Sequence, residues 1–297
     1  MKKKKILITG GSGFIGSHIV KKFSENNNEI FIFDVNDPVY EIDQNTTFIK
    51  GDIFDESAVK DAVDKCDVIV HLIGLADSGI AQANPDKCFA LNIKSLQVIL
   101  EQCRKSKGKK IVFPSSAAVY GITEDLPIKE NFKPNPTNIY SWHKYLCEQL
   151  IKAYQENYNI PYVILRFFNV YGRGNEGVIG IFLDKAKNGE TIQSFGPFQY
   201  RDFIYAGDVA EAVANAVLYD KAINRIINIG SGKGIQIREI LDIVCEIYPD
   251  AQWRENEANF TMYDSIADIT LANILLDFKP NISKEFMKKI IIEEMNQ

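Results

Sequence analysis

The sequence lacks any long run of apolar residues. The apolar stretch that follows the lysine run Lys2–Lys5 covers only Ile6–Ile8, well short of the ~7–15 residues of a signal-peptide core. No other stretch approaches the ~18 apolar residues that a membrane-spanning helix needs. The sequence therefore predicts no membrane-spanning helix and disfavours secretion. We expect a cytoplasmic protein without a membrane partner.

Cysteine pairs and metal-ligand patterns are also missing. The five cysteines are odd in number, and none forms a C-x-x-C pair: Cys66, Cys88, Cys103, Cys147 and Cys245. The three histidines show no spacing typical of metal ligands. This pattern is typical of buried, reduced thiols in a cytoplasmic protein, and it predicts no metal site.

The sequence has no excess of positive charge. Its formal net charge is -5, and its 46% hydrophobic and 25% charged residues are ordinary for a globular chain with a substantial core. The lysine run at the N-terminus is short and is interpreted as a solvated end. We therefore expect neither a nucleic acid nor an anionic membrane surface as a partner.

What the sequence does contain is an alternation of short apolar runs with amphipathic stretches. This alternation predicts an α/β fold with a parallel, doubly wound sheet covered on both faces. The predicted strands are Lys5–Thr9, Glu29–Phe33, Thr47–Lys50, Val68–Ile73, Lys110–Pro114 and Tyr162–Phe168. The predicted helices between them are Phe14–Glu25, Glu56–Val63, Pro85–Lys105 and Asn138–Asn157.

The rhythm changes after Tyr171, where glycines become frequent and the elements shorter. We predict a nucleotide-binding domain over 1–171 and a smaller C-terminal α/β lobe, mainly for substrate, over 172–297. In this second part the predicted elements are the helices Ile181–Asn188, Asp208–Tyr219 and Gln236–Tyr248 and the strands Thr191–Phe195 and Arg225–Ile229. Two placements stay open for Arg225–Ile229, which belongs either to the small lobe or to the large sheet.

A glycine turn joins the first strand to the first helix. Gly10, Gly13 and Gly16 follow the pattern G-x-x-G-x-x-G, and the helix begins at Phe14 and Ile15. Glycine permits both the tight turn and the close approach of a pyrophosphate to free N–H groups at a helix N-terminus. The alternative, a tight turn without a ligand, becomes less favoured in the context of the next two strands.

Acidic residues follow the second and third strands. Asp34 ends the second strand, where a carboxylate accepts hydrogen bonds from an adenosine ribose and repels a 2′-phosphate. Asp52 follows the third strand, where we expect it to accept the adenine amino group while Ile53 packs on the ring. Asp52 is equally typical of a helix cap or a turn. Because no basic residue closely follows Asp34, the predicted cofactor is NAD rather than NADP.

Tyr140 and Lys144 are four residues apart on a predicted helix, so they share one face. A tyrosine with its usual pKa near 10 is a poor base at neutral pH, and a neighbouring ammonium lowers that pKa. Ser115 and Ser116 end the strand before this helix, at the edge where ligands bind in a doubly wound sheet. Ser116, Tyr140 and Lys144 are therefore the candidate catalytic residues for hydride removal from an alcohol.

At these residues the chain resembles the extended short-chain dehydrogenases/reductases of the NAD-dependent epimerase/dehydratase family, which have a Rossmann-type sheet. The resemblance covers almost the whole length. It is carried by the pieces above and by further segments: His71–Gly74, Asn92, Ser115–Gly121, Arg166–Gly172, Arg201–Tyr205, Ala267–Thr270 and Phe278–Pro280.

The resemblance implies roles for individual residues. Tyr140 is the base, Lys144 also holds the nicotinamide ribose, and Ser116 binds the reacting hydroxyl. Asn169 and Arg201 bind the nucleotide-linked sugar, with Arg201 at the diphosphate. The implied cofactor surface also includes Leu72, Ile73, Gly74, Asn92, Ser115 and Phe167.

The sequence departs from the family pattern in two places. Dehydratases of the family carry an acidic residue just after the hydroxyl residue, and members that epimerise at C3 and C5 carry a cysteine there. Here Ala117 and Ala118 occupy those positions, and alanine transfers no proton. Near the C-terminus, Arg254 is the one candidate near the arginine that many relatives use for the diphosphate.

What remains is redox at one carbon of a nucleotide-linked sugar. We expect oxidation of the C4 hydroxyl to a 4-keto sugar, by a 4-epimerase or a 4-dehydrogenase. An NADH-dependent reductase of a keto sugar nucleotide stays open, as does a non-catalytic NAD-sensing regulator. The intact set of Ser116, Tyr140 and Lys144 disfavours the regulator, which needs no base.

Two helices carry apolar residues over more of their circumference than one core requires. Pro85–Lys105 carries Phe89, Ile93, Leu96, Ile99 and Leu100, and Asn138–Asn157 carries Trp142, Tyr145, Leu146, Leu150, Ile151 and Tyr154. The resemblance implies that this pair meets its copy across a two-fold axis. We therefore expect a homodimer, the alternative being that the extra residues pack under the small lobe.

Overall fold

The computed structural model describes residues 4–25, 28–76, 78–175, 177–256 and 263–295. The strands in these ranges are β1 (Lys5–Thr9), β2 (Glu29–Asp34), β3 (Thr46–Lys50), β4 (Val68–His71), β5 (Lys110–Ser116), β6 (Tyr162–Phe167), β7 (Asn169–Tyr171), β8 (Ile192–Ser194), β9 (Tyr200–Tyr205), β10 (Arg225–Ile229), β11 (Gly234–Gln236) and β12 (Trp253–Glu255). The helices are α1 (Phe14–Ser24), α2 (Glu56–Asp64), α3 (Ser78–Ala83), α4 (Pro85–Phe89), α5 (Ser95–Ser106), α6 (Ile139–Tyr158), α7 (Val178–Lys187), α8 (Ala206–Leu218), α9 (Ile237–Ile247), α10 (Thr270–Leu276) and α11 (Lys284–Ile290).

Seven strands form one parallel sheet in the order β10-β6-β5-β4-β1-β2-β3. The predicted α/β, Rossmann-type doubly wound sheet is thus confirmed. The strand Arg225–Ile229 pairs with β6 and belongs to the large sheet, which decides between its two predicted placements. The strand order reverses between β1 and β4, and this switch point is where α/β sheets bind ligands.

Both faces of the sheet are buried. Neighbouring residues of each strand point to opposite sides, so their side chains enter two different cores. In β1, Ile6 and Ile8 join a core that includes residues of α1, α8 and α10. Leu7, between them, joins a second core with residues of α2, α5 and α6. This double burial explains why the strands are continuously apolar rather than alternating.

The smaller lobe is built from segments after Phe168. Strands β7 and β9 are parallel, β11 pairs antiparallel with β9, and β12 pairs with β8. These strands and α7, α9 and α11 contribute to a third apolar core. The lobe begins within a few residues of the predicted boundary, but β10 and α8 return to the large layer, and the division at 171 itself remains a prediction.

The buried carboxylate of Asp202 joins segments that are distant in sequence. It accepts hydrogen bonds from the N–H groups of Ser231 (2.6 Å), Gly232 (2.9 Å) and Ala267 (3.1 Å) and from the Ser231 hydroxyl (2.7 Å). Burial raises the pKa of Asp202 to about 6, against the lowering effect of these donors. Through this one side chain, β9 holds the turn after β10 and the segment before α10.

One predicted helix is interrupted. Pro85–Lys105 is observed as α4, a π-helical turn at Ala90–Lys94, and α5. The turn contains Asn92, whose side chain bonds the main chain of Leu75 rather than facing solvent. The apolar spacing of the segment predicted a continuous helix, because periodicity does not show which side chain will hydrogen-bond a distant main chain.

No helix in the described part of the chain combines the length and apolarity needed to span a membrane.

His71, the last residue of β4, is fully buried between the two layers. Its Nε2 lies 3.2 Å from Ser95 Oγ, whose own proton is donated to the Leu91 carbonyl, and its Nδ1 lies 2.7 Å from Thr9 Oγ1. Burial, and then the charge of Lys144, lower the pKa of His71 to about 3. The imidazole is therefore neutral and serves as a hydrogen-bonded core residue.

This neutral imidazole predicts an acid-sensitive fold. Because the folded pKa lies below the unfolded value near 6.5, the unfolded chain binds a proton first, and stability falls as the pH drops from about 6.5 towards 3. Between pH 7 and pH 5 we expect His71 to remove about 2 kcal/mol of unfolding free energy. Denaturant unfolding of the parent and of His71→Gln at both pH values measures this; an equal loss in both proteins would contradict it.

Candidate active site

A crevice of about 870 Å³ opens at the carboxyl ends of β1, β4, β5 and β6. Its walls include most of the predicted site residues: Gly10, Gly13, Phe14, Ile15, Gly16, Leu72, Gly74, Ser115, Ser116, Tyr140, Lys144, Phe167 and Asn169. Parallel strands bring their carboxyl ends to one edge of the sheet, so residues more than a hundred positions apart line one cavity.

The three glycines of the turn differ in how strongly the surrounding structure requires a residue without a side chain. Gly10 has a φ of +75°, which disfavours any side chain. A Cβ at Gly16 would lie 2.5 Å from the Gly10 carbonyl oxygen, so the helix packs directly on the turn. A Cβ at Gly13 would meet only that same oxygen at 3.4 Å, an ordinary contact.

Gly13 is therefore the glycine that the protein's own packing does not require. It lines the crevice at the N-terminus of α1, where no side chain caps the first turn. Bare backbone and free N–H groups at a helix N-terminus suit a pyrophosphate. The residues present thus fit the diphosphate of a dinucleotide.

Asp34 lies at the end of β2, next to the turn. Its Oδ2 accepts a hydrogen bond from the Ser12 N–H (3.1 Å), and its Oδ1 accepts one from the Asn36 N–H (3.0 Å). This placement beside the glycine turn agrees with the ribose role predicted for it. Lys50 on β3 lies opposite Asp34 in the strand register, which the order of residues along the sequence did not reveal. The Lys50 ammonium forms an ion pair with Asp37 (2.6 Å).

The residues predicted to hold the adenine lie outside the crevice walls. Asp52 is exposed, and its Oδ1 accepts a hydrogen bond from the Phe54 N–H (2.9 Å), as in a turn. The Ile53 side chain is buried in the core beside Phe33 and Leu7. Its packing on an adenine ring stays a prediction.

Two more residues of the predicted cofactor surface lie behind the crevice wall rather than in it. Asn92 is buried; its Oδ1 accepts a hydrogen bond from the Leu75 N–H (2.6 Å), and its Nδ2 donates to the Leu75 carbonyl (3.2 Å). The backbone of Ile73 packs on Gly10, where a Cβ would approach its nitrogen to 2.9 Å. Neither side chain lines the crevice, so these residues shape the wall formed by Leu72 and Gly74.

The candidate catalytic residues meet at the centre of the crevice. The capping box between Asn138 and Ser141 starts α6 just before Tyr140 and orients its first turn. Tyr140 and Ser116, which ends β5, both line the crevice, and their side chains lie close enough to interact. One turn further along α6, Lys144 Nζ donates to the Pro114 carbonyl (2.9 Å).

The electrostatics differ from the simple expectation for this pair. Burial raises the pKa of Tyr140, while its hydrogen bond with Ser116 lowers it. Burial also lowers the pKa of Lys144, whose ammonium lies 6.0 Å from the centre of the Tyr140 ring. In the protein alone, desolvation thus outweighs the lowering of the Tyr140 pKa that the spacing predicted for Lys144.

Ser115 has a partner that the sequence did not indicate. Its hydroxyl donates to Glu148 Oε1 (2.6 Å), and Glu148 is paired with Arg166. Sequence reasoning also missed further residues of the crevice wall. These include Leu75, Ala76, Ile80, Pro114, Phe168, Val170, Tyr171, Gly174, Asn175, Gly177, Val178, Ile179 and Phe203.

The two predicted substrate residues are placed differently. Asn169 is exposed in the crevice, and its Nδ2 donates to the Asp202 carbonyl (2.9 Å). The guanidinium of Arg201 lies outside the crevice walls, 4.3 Å from the Tyr263 ring centre, and donates to the Tyr263 carbonyl and the Gln199 side chain. Arg254 is exposed on β12. The diphosphate roles of both arginines remain predictions.

Comparisons with known proteins agree with this geometry. The model of the NAD dependent epimerase/dehydratase family matches residues 6–230. The chain is 37% identical to the putative UDP-glucose 4-epimerase of Methanocaldococcus jannaschii, over 97% of this chain and 95% of that protein.

Solved structures are similar over nearly the whole chain. The UDP-N-acetylglucosamine 4-epimerase of Methanobrevibacter ruminantium, in complex with UDP-N-acetylmuramic acid, matches with a TM-score of 0.88 and 30% identity, over 99% of this chain and 98% of that one. The UDP-glucose 4-epimerase of Thermus thermophilus, in complex with NAD, matches with a TM-score of 0.87 and 26% identity, over 98% of each chain.

The different roles of Gly13 and Gly16 can be separated by substitution. We expect Gly13→Ala to leave the melting temperature of cofactor-stripped protein unchanged and to weaken NAD binding at least about tenfold, because the methyl occupies space for the diphosphate. Gly16→Ala should lower the unfolding free energy by about 1–3 kcal/mol, because its methyl meets main chain. Thermal melts and calorimetric titration with NAD measure both; unchanged NAD affinity in Gly13→Ala would refute the assignment.

Proposed function

The chain belongs to the NAD-dependent epimerase/dehydratase family, and from that premise we propose that it inverts C4 of a nucleotide-linked sugar. The observation that carries the proposal is that Ser116, Tyr140 and Lys144 line one crevice that begins at the glycine turn, with Lys144 one helical turn after Tyr140. NAD, when bound, would supply a reversible hydride acceptor, and Gly10, Gly13, Gly16 and Lys144 line the crevice that would hold it.

The side chains divide the work of the reaction. Tyr140 removes the proton of the C4 hydroxyl and returns it after the hydride comes back. Ser116 donates a hydrogen bond to the same oxygen, on which negative charge develops as the proton leaves. Lys144, held by the Pro114 carbonyl, supplies the positive charge that favours the phenolate and binds the nicotinamide ribose. Burial excludes water, which protects the keto sugar between the two transfers.

The residues beside Ser116 favour simple inversion over elimination. Ala117 and Ala118 begin the 3-10 turn that Ser116 caps, with Ser116 Oγ accepting the Ala118 N–H (3.2 Å). Their methyl groups supply no acid or base for loss of water. We propose a uridine diphosphate sugar, since the relatives described above carry that nucleotide in their names, and glucose and N-acetylglucosamine are the first sugars to test.

Incubation of the NAD-loaded protein with a panel of UDP-, GDP- and dTDP-linked sugars tests the proposal. We expect a product of unchanged mass that differs at C4 by NMR. Tyr140→Phe should lower turnover at least about a thousandfold, because it removes the base, and should keep NAD bound. A product lighter by one water or net accumulation of NADH would reassign the reaction to elimination or dehydrogenation. Wild-type turnover in Tyr140→Phe would refute the mechanism.

We further propose that the enzyme is a homodimer. Phe89 on α4 and Trp142 and Leu146 on α6 are large apolar residues that remain about half exposed. In contrast, Leu96, Ile99 and Leu100 of α5 are fully buried in this chain's own core. The face formed by Phe89, Trp142 and Leu146 is therefore left for a second copy, and a two-fold contact needs only one such face.

Light scattering during gel filtration measures the assembly. We expect twice the 33.6 kDa chain mass, and Leu146→Glu should shift the protein to monomer because it buries a charge in the contact. Ile274→Glu is the matched control, since Ile274 is a similarly exposed apolar residue on α10, against the opposite face of the sheet. A parent at monomer mass, or equal masses for both variants, would contradict the dimer.

A further inference from the structure

Three side chains along one stripe of α6 contact three successive residues of β5. Tyr140 lies beside Ser116 in the crevice wall, Lys144 donates to the Pro114 carbonyl, and Glu148 accepts a hydrogen bond from the Ser115 hydroxyl. The stripe follows from the spacing of four residues on a helix. The first two contacts belong to the reacting machinery, and the third has no place in it so far.

Glu148 is the centre of a fully buried polar network. Its Oε1 accepts the Ser115 hydroxyl (2.6 Å) and Arg166 Nε (2.9 Å), and its Oε2 accepts Arg166 Nη2 (2.6 Å). Arg166 belongs to β6 and lies 4.6 Å from the Tyr120 ring centre. One carboxylate thus connects the catalytic helix to two neighbouring strands of the sheet.

The stability of the fold does not by itself explain why this buried ionic network is present. Burying two charges costs solvation that their attraction often only offsets, and apolar residues of similar volume often serve a fold as well. The neighbouring contacts of α6 with the core, through Cys147 and Ile151, are already apolar. These non-directional contacts hold α6 against the sheet but do not by themselves fix its rotation or its position along β5.

We propose that Glu148 is a positioning residue, which sets the register of α6 against β5 and so aligns the Tyr140 hydroxyl with Ser116. The inference rests on the proposed function only for its kinetic consequence. Ser115 sits directly before Ser116, so the bond from Ser115 to Glu148 holds the strand end that carries the catalytic hydroxyl. The fork of Arg166 on both carboxylate oxygens fixes the orientation of that acceptor.

The charge of Glu148 gives a second reason for its place. Burial lowers the pKa of Lys144, and the negative charge of Glu148 opposes this lowering. The nearby Cys88 and Cys147 are neutral thiols, since burial raises the pKa of each, so they add no opposing charge. Glu148 is therefore the carboxylate that supports a protonated Lys144.

The double variant Glu148→Leu/Arg166→Met tests the inference without leaving a buried unpaired charge. We expect it to fold and bind NAD like the parent, with a kcat lower by at least about tenfold and a KM for the nucleotide sugar within about twofold. Lys221→Gln/Asp277→Asn, which removes a surface ion pair of 2.9 Å, is the control and should keep the parent kcat.

A titration makes the test independent of turnover. Tyrosinate absorbance of cofactor-stripped protein, with Tyr140→Phe as the reference, isolates the Tyr140 phenol. In the double variant we expect its apparent pKa to rise, because the phenolate loses an aligned Ser116 donor. If the parent turns over no nucleotide sugar, the proposed function fails, and this titration still decides the positioning role.

Ser115 provides the second route if the double variant does not fold. Ser115→Ala removes only the hydroxyl that bonds Glu148, and it should lower kcat and raise the Tyr140 pKa. Ser115→Thr restores a hydroxyl and should recover both values. A folded double variant, or Ser115→Ala, with the parent kcat and the parent Tyr140 titration would overturn the proposal.

Discussion

The burial of both faces of the parallel sheet is the constraint on which the rest of this structure depends. Because most strands are apolar on both sides, glycines and polar side chains that can face a ligand collect at the strand ends. The strands are parallel, so all their carboxyl ends lie at one edge. Gly10, Leu72, Ser116 and Phe167 thus line one crevice, although they come from four strands.

Helix α6 places the candidate catalytic residues Tyr140 and Lys144 at this edge. Its capping box sets where the helix starts, and the four-residue repeat of Tyr140, Lys144 and Glu148 sets what faces β5. The same helix presents Trp142 and Leu146 outward on another part of its circumference. This one helix therefore carries the candidate catalytic residues, a buried ion pair and an exposed apolar face. A shift of the helix would move all three.

Arg201 lies outside the crevice walls, and its role at the diphosphate remains a prediction. Its guanidinium is occupied by the Tyr263 carbonyl and ring and by Gln199. Asn169, in contrast, lines the crevice, because β7 begins soon after the end of β6 along the chain and the Asp202 carbonyl holds its amide. The candidate catalytic residues thus lie at the edge of the large sheet, and the arginines predicted for the diphosphate lie in the smaller lobe.

Much of this arrangement was readable from residue order. The apolar runs and helical spacings determined the sheet, its double burial, the glycine turn and the set of Ser116, Tyr140 and Lys144, since these depend on local spacing and on strand ends. The sequence did not reveal where Asn92, Ile53 and Ser115 point, because each side chain is directed by a partner distant along the chain: Leu75, the core around Phe33, and Glu148.

The tertiary structure alone decided the rest. It returned Arg225–Ile229 to the large sheet, since pairing depends on which edge is open rather than on the strand's own residues. It also reversed the expected balance at Tyr140 and Lys144. A four-residue spacing shows that two groups share a helix face, but only packing decides how much water they lose, and here that loss dominates both pKa shifts.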